Sequence, residues 1–139
     1  HVSPQAQADW QRRTRVPMVW AGLVPSQQIP ELARSAHLLF PTDLHPACPN
    51  SVIEGMACGL PVVAFATGAM NELVTPEAGR IVPYGGDPWK IEPPDIPALA
   101  EAAAQVRANL PAYQKGARER AEAAFGLEKM VEGYLNVLL

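Results

Sequence analysis

The sequence has few cysteines and few aromatic residues, and it lacks a long apolar run. Of its 139 residues, two are cysteine and 6% are aromatic. A disulfide framework is therefore excluded, and the spacing of Cys48 and Cys58, with no His pair nearby, does not fit a zinc site. Because a predicted helix separates the two cysteines, we expect both to be free thiols.

No apolar segment approaches the ~20 residues that cross a bilayer, and no signal peptide is recognisable. We therefore expect a cytoplasmic protein without a transmembrane segment. A basic excess is also absent, since 11 basic and 14 acidic residues give a net charge of −3. Binding to a phosphate backbone requires clustered Lys and Arg, so nucleic acid is not an expected partner.

What the chain does contain is enough apolar sequence for one hydrophobic core. The hydrophobic fraction is 48%, and the 15 prolines fall between apolar segments rather than in one tract. The chain opens with His1 instead of Met, from which we expect that further sequence lies upstream. These features predict one globular domain that is a fragment of a longer protein.

Short apolar runs alternate with helical patterns along the chain. Buried strands are predicted at residues 17–22, 37–41, 61–65 and 79–83. Helices are predicted at residues 4–13, 26–36, 51–58, 69–74, 95–109 and 111–124. The alternation predicts a Rossmann-like α/β fold, a parallel sheet with flanking helices.

The last segment, residues 126–139, has the clearest amphipathic pattern. Its apolar residues recur at helical spacing and are Leu127, Met130, Val131, Tyr134, Leu135 and Leu138. This face could pack on the domain's own sheet. It could instead be covered by a missing domain or by a second copy in a homo-oligomer.

The loop at residues 41–49 follows a predicted strand and precedes a helix, which makes it the best candidate site. Free N–H groups at residues 50–55 would favour a phosphate or a sugar hydroxyl. Glu54 could accept hydrogen bonds from the vicinal hydroxyls of a ribose. Alternatively, Ser51 and Glu54 form a capping box that binds no ligand.

The run at residues 50–64, with residues 67–68 and 71–74 after it, resembles the donor-binding core of glycosyltransferase family 4. Residues 22–24, 29–32, 79–82 and 85–87 match the same family in order, so the similarity spans residues 17–125. The resemblance implies a retaining GT-B enzyme, in which this C-terminal domain holds a nucleotide-sugar against an N-terminal acceptor domain.

The resemblance also implies roles for individual residues. Glu54 would hold the ribose, and Val24 would lie near the base. The backbone and side chains of Asn50, Ser51 and Val52 would line the sugar and the diphosphate. No catalytic residue, metal or cofactor is assigned, and the nucleotide-sugar is the donor substrate.

Three departures from the family pattern matter. Pro46 stands where the family has an acid that reaches the donor sugar, although Asp43 or His45 could substitute from the same loop. Ala69 replaces a glycine, which is a mild change. Two strands and a loop with an Arg and a Lys are not recognisable in residues 1–16, so the strand at residues 17–22 would lose its neighbour.

Residues 1–139 are therefore interpreted as one partial nucleotide-sugar-binding domain, a truncated half of a GT-B C-terminal domain. We expect it to be inactive until it joins the acceptor domain or a second chain, and the missing half could bring it to a membrane. The alternatives are a noncatalytic module that binds nucleoside diphosphates and a purely structural α/β module.

Overall fold

The computed structural model describes residues 2–139, and His1 lies outside the described residues. The described chain contains seven α-helices and two β-strands. The helices are α1 (Pro4–Arg13), α2 (Ile29–Ser35), α3 (Asn50–Ala57), α4 (Met70–Leu73), α5 (Ile96–Ala108), α6 (Leu110–Ala124) and α7 (Leu127–Leu138). The strands are β1 (Val62–Phe65) and β2 (Gly79–Val82), and 3₁₀ turns occur at Ser26–Gln28 and Pro88–Lys90.

The sheet is small and parallel. Strands β1 and β2 pair in a register that sets Val62 opposite Gly79. On the other edge of β1, Leu39 forms a single parallel bridge to Val62. The Leu39 amide donates to the Pro61 carbonyl at 2.8 Å, and the Leu39 carbonyl accepts from the Val63 amide at 2.9 Å. β1 is therefore the central strand.

Helices cover both faces of the sheet, and all four residues of β1 are buried. The core on one face is built from β1, α3, α4 and α6; its members are Val52, Met56, Val62, Ala64, Met70, Leu73, Val74, Ala78, Ala117 and Ala121. The core on the other face is smaller and joins β1 to α5 and α6; its members are Val63, Ala102, Val106 and Tyr113. This is the α/β arrangement that the sequence predicts.

The predicted helices are confirmed with small changes at their ends. Ser3 caps α1 by accepting from the Ala6 amide at 3.2 Å, and Asp95 caps α5 by accepting from the Ala98 amide at 2.9 Å. Ser26 does not cap a helix through its side chain, because a 3₁₀ turn precedes α2 there. Cys58 follows the last residue of α3, and both cysteines are free thiols, as predicted.

The strand predictions succeed only where a neighbouring strand is present. Residues 61–65 and 79–83 contain β1 and β2, whereas residues 37–41 contribute only the bridge at Leu39. The prediction of a buried strand at residues 17–22 is wrong, since the segment is unpaired and Val19 is 94% exposed. An extended segment needs a partner for its backbone hydrogen bonds, and the described chain offers none at this place.

The terminal helix forms as predicted, but it packs against neither face of the sheet. None of the residues of α7 is buried, and Leu135 and Leu138 are 48% and 76% exposed. The interpretation in which this helix covers the domain's own sheet is therefore wrong. Within residues 2–139, no helix combines the length and the apolar character needed to cross a membrane.

A tight turn at Gly68 joins β1 to α4. Gly68 has a φ of +51°, and a Cβ atom there would lie 2.3 Å from the Pro46 carbonyl oxygen. The same carbonyl accepts a hydrogen bond from the Ala69 amide at 2.8 Å. Ala69 has a φ of −81°, so its methyl group causes no backbone strain, and the substitution is mild as predicted.

We predict that Gly68→Ala lowers the free energy of unfolding by about 2–3 kcal/mol, because it combines backbone strain with a clash against Pro46. Urea unfolding followed by circular dichroism measures the change. Gly133→Ala is the control, since the added Cβ would meet no atom outside its own helix within 4 Å. An equal loss of stability in both variants would contradict the role assigned to Gly68.

Candidate functional site

The N-terminus of α3 has unpaired backbone donors. The helix begins at Asn50 after Pro49, with no side-chain cap and no acidic residue in its first turn. The Val52 amide donates to the Pro49 carbonyl at 3.0 Å, whereas the amides of Asn50 and Ser51 have no such partner within residues 2–139. Two N–H groups at the positive end of the helix dipole are thus free to bind an anion.

The capping-box interpretation of Ser51 and Glu54 is wrong. Pro49 occupies the cap position, so Ser51 and Glu54 lie inside the helix, where they cannot bond reciprocally to the cap. Glu54 is exposed, and its carboxylate takes part in none of the ion pairs formed within residues 2–139. The carboxylate is therefore available to a ligand.

Glu54 and Ser51 line one cleft, which we call the Glu54 cleft. It lies between α2 and α3 and has a volume of about 410 Å³. Its walls are mainly apolar; they include Ile29, Leu32, Ala33, Leu38, Leu39 and Leu60. A single carboxylate beside apolar walls can orient a pair of hydroxyl groups while the walls exclude water.

Val24 lies in an adjoining cleft of about 410 Å³, the Val24 cleft, together with Ala21, Gln28 and Glu31. Leu32 and Ser35 of α2 line both this cleft and the Glu54 cleft. Val24 and Glu54 therefore face neighbouring spaces on the two sides of α2. Neither cleft is lined by Lys or Arg.

Val52 differs from the other predicted site residues. Its side chain is fully buried in the core, and its amide is bonded to Pro49. Asn50 and Ser51 are exposed. Neither the side chain nor the amide of Val52 is free to contact a ligand, so we leave Val52 out of the site that we propose below.

Pro46 is buried against Gly68 and lines a third space, the Trp89 cleft, with His45, Thr67, Glu72 and Trp89. His45 stacks on Trp89 in this cleft. Asp43 is separated from His45, because it lines a different cleft at the carboxyl end of β1. The two residues considered as substitutes for the missing acid thus face different spaces.

The sequence patterns did not single out Trp89, and Glu72 entered only as part of the matched run 71–74. Trp89 lies 44 positions after His45, and only tertiary structure brings the two rings together. The Asp87-Pro88 pair before Trp89 is a helix-start signal that predicts an ordered turn, but it does not indicate which side chain the turn presents.

Comparisons with known proteins identify the family and the fold. The family model described as group 1 glycosyl transferases matches residues 3–109. Among solved structures, sucrose-phosphate synthase from Thermosynechococcus elongatus is similar, with 25% identity and a TM-score of 0.67. The match covers 86% of this chain and 30% of that enzyme's chain. No curated protein sequence matches the chain.

The fold and the comparisons define a class, the Rossmann-like domain of a GT-B glycosyltransferase. The chain belongs to the group 1 glycosyl transferases, because the family model matches well over half of its length. It spans 30% of the length of the synthase to which it is similar.

The geometry predicts that Glu54→Gln and Ser51→Ala change the free energy of unfolding by less than about 0.5 kcal/mol, because both side chains are exposed and neither caps α3. Urea denaturation of the two variants measures this. Removing a capping residue would cost about 1 kcal/mol, so a loss of that size would restore the capping-box interpretation.

Proposed function

We propose that this chain is the donor-binding part of a retaining glycosyltransferase of family 4, which transfers a sugar from a nucleotide-sugar to an acceptor. The observation that supports it best is the uncapped N-terminus of α3 beside the free carboxylate of Glu54. A nucleoside diphosphate needs both features, an anion site and an acceptor for vicinal ribose hydroxyls.

In this proposal the diphosphate lies against the amides of Asn50 and Ser51. The helix dipole stabilises the negative charge there, and the backbone can approach closely because no side chain caps the turn. The ribose hydroxyls donate to Glu54, and the base extends along α2 toward Val24. The shared lining of the Glu54 and Val24 clefts supports this path.

Sugar transfer requires more than this chain supplies. The clefts that contain Glu54, Val24 and Pro46 are lined by no Lys or Arg that could neutralise a diphosphate. Pro46 has no side-chain acceptor for the donor sugar. We therefore propose that the acceptor domain completes the site, that no metal is needed, and that the chain alone is inactive.

The exposed apolar face of α7 supports the proposal that an acceptor domain packs against this chain. Its Leu, Met, Val and Tyr side chains are exposed along the whole helix. We propose that the acceptor domain covers this face, with self-association in a homo-oligomer as the competing outcome.

Because both cysteines are free thiols, we propose that the protein acts in the cytoplasm, a reducing compartment.

Calorimetric titration with uridine, guanosine and adenosine diphosphates tests donor binding. We predict that one of them binds and that Glu54→Ala weakens its affinity about 10- to 100-fold, because hydrogen bonds to a charged acceptor are lost. Glu132→Ala on α7 is the matched control, since its carboxylate is also exposed and lines none of the three clefts.

A second titration assigns the contact to the ribose. The corresponding 2′-deoxynucleotide lacks one of the two hydroxyls and should bind the unsubstituted chain more weakly. In Glu54→Ala this difference should vanish, because the two changes remove the same interaction. If the affinity lost through Glu54→Ala and the affinity lost through removal of the 2′-hydroxyl add fully, Glu54 lies away from the ribose. If none of the three nucleoside diphosphates binds, the purely structural module is favoured.

Incubation of the isolated chain with UDP-glucose or GDP-mannose tests the expected inactivity. We predict neither hydrolysis nor transfer above the rate without protein, since the acceptor half is needed to complete the site. Robust turnover by the 139-residue chain would contradict this. Nucleotide binding without transfer, even after fusion to an acceptor domain, would favour the noncatalytic alternative.

A further inference from the structure

The stack of His45 on Trp89 joins two loops that follow different segments of the sheet. The ring centroids lie 3.8 Å apart, and the ring planes make an angle of 17°. His45 belongs to the loop at residues 41–49 before α3, whereas Trp89 belongs to residues 85–95 after β2, which we call the Trp89 turn. Trp89 is 79% exposed and is a member of neither core, so packing in the interior does not explain where its ring lies.

Hydrogen bonds hold the Trp89 turn in one shape. The Asp87 carboxylate accepts from the Trp89 amide at 2.9 Å, and the Glu92 carboxylate accepts from the Asp87 amide at 2.7 Å. The hydroxyl of Tyr84, a buried residue, donates to the Glu92 carbonyl at 2.8 Å. The turn is therefore fastened to the interior although its tryptophan is exposed.

Ile91 is a second sign that the shape of this turn is imposed on the backbone. Its φ is +55°, in the left-handed region, where a β-branched residue is strained. Ile91 is 76% exposed, so burial of its side chain does not offset that strain. Strained residues persist where surrounding contacts determine the backbone, and they cluster at functional sites. The turn thus keeps an unfavourable local conformation while it presents Trp89 to His45.

The chain between His45 and α3 is short and stiff. It consists of residues 45–49, and α3 begins at the next residue, Asn50. Proline fixes its own φ and restricts the residue before it. With proline at positions 46 and 49, only Ala47 in this segment is neither a proline nor followed by one. A displacement of His45 is therefore passed on to the first turn of α3.

Two neighbouring residues hold this loop to two different turns. The carbonyl of Pro46, which is buried, accepts from the Ala69 amide at 2.8 Å in the turn after β1. The ring of His45 stacks on Trp89 in the turn after β2. A loop held at one point can rotate about it, and the second contact removes that freedom.

We propose that Trp89 is a positioning residue, which holds the loop at residues 41–49 and the first turn of α3 through its stack on His45. Helix ends fray, so the amides of Asn50 and Ser51 stay aligned only while the loop before them is held. Under the proposed function, on which this consequence rests, aligned amides bind the diphosphate at a lower entropic cost. Trp89 itself contacts no ligand in this proposal.

Nuclear magnetic resonance of the chain without ligand tests the positioning. In Trp89→Ala, the ring protons of His45 should move downfield because they lose the shielding of the indole. We predict that the Ala69 amide then exchanges with solvent about 3- to 10-fold faster. The amides of Asn50 and Ser51 should become more mobile, which lowers their ¹⁵N order parameters.

Further substitutions assign these effects to the stack. His45→Ala should accelerate the exchange of the Ala69 amide as Trp89→Ala does, and the double variant should exchange no faster than either single variant. Trp89→Phe keeps an aromatic face and should restore most of the protection. Trp10→Ala is the control, because Trp10 is also an exposed indole but lies on α1. Thermal unfolding of each variant checks that the fold is retained.

Titration with uridine, guanosine and adenosine diphosphates tests the consequence for binding. For the diphosphate that binds, Trp89→Ala should weaken the affinity about 3- to 10-fold, and Trp89→Phe should recover most of it. The diphosphate should also shift the amide signals of Asn50 and Ser51 less in Trp89→Ala than in the unsubstituted chain.

The outcomes separate this inference from the proposed function. Unmoved His45 signals and unchanged Ala69 exchange in Trp89→Ala would overturn the positioning role, whether or not a nucleotide binds. Faster exchange together with an unchanged diphosphate affinity would overturn it as well. If no diphosphate binds the unsubstituted chain, the proposed function fails, and faster exchange with lower order parameters in Trp89→Ala still supports the positioning of α3.

Discussion

The pairing of β1 with neighbours on both edges is the interaction on which the rest of this structure depends. β1 bonds to β2 on one side and to Leu39 on the other, and all four of its residues are buried. Its alternate side chains enter the two cores, so α5 packs on one face while α3 and α4 pack on the other. Without this strand, neither core would be continuous.

The candidate site follows from where β1 and its neighbours end. The loops after Leu39 and after β1 meet where the Pro46 carbonyl bonds to the Ala69 amide, and Gly68 allows this close approach. That contact sets the start of α3 near the turn to α4. The free amides of α3, the Glu54 cleft and the Trp89 cleft thus lie around segments that a few backbone contacts hold in place.

Three parts of residues 2–139 leave backbone groups or apolar surface uncovered. Leu39 forms only one bridge, residues 17–22 find no strand to pair with, and the apolar face of α7 is uncovered. Each feature leaves backbone groups or apolar surface exposed that a larger assembly could bury. The match to 30% of the synthase chain agrees with this view.

The sequence by itself determined the α/β class, the helices and the two strands that pair, because hydrophobic periodicity, Ser and Asp caps and proline positions are local signals. It also predicted free N–H groups at residues 50–55, of which those of Val52 and Ile53 are in fact bonded to the Pro49 carbonyl. Tertiary structure decided that residues 17–22 remain unpaired, that Pro49 rather than Ser51 occupies the cap position of α3, and that Val52 is buried. It alone brought His45 and Trp89 together. Strand formation, burial and ring stacking all depend on groups distant in sequence, and local patterns do not encode those neighbours.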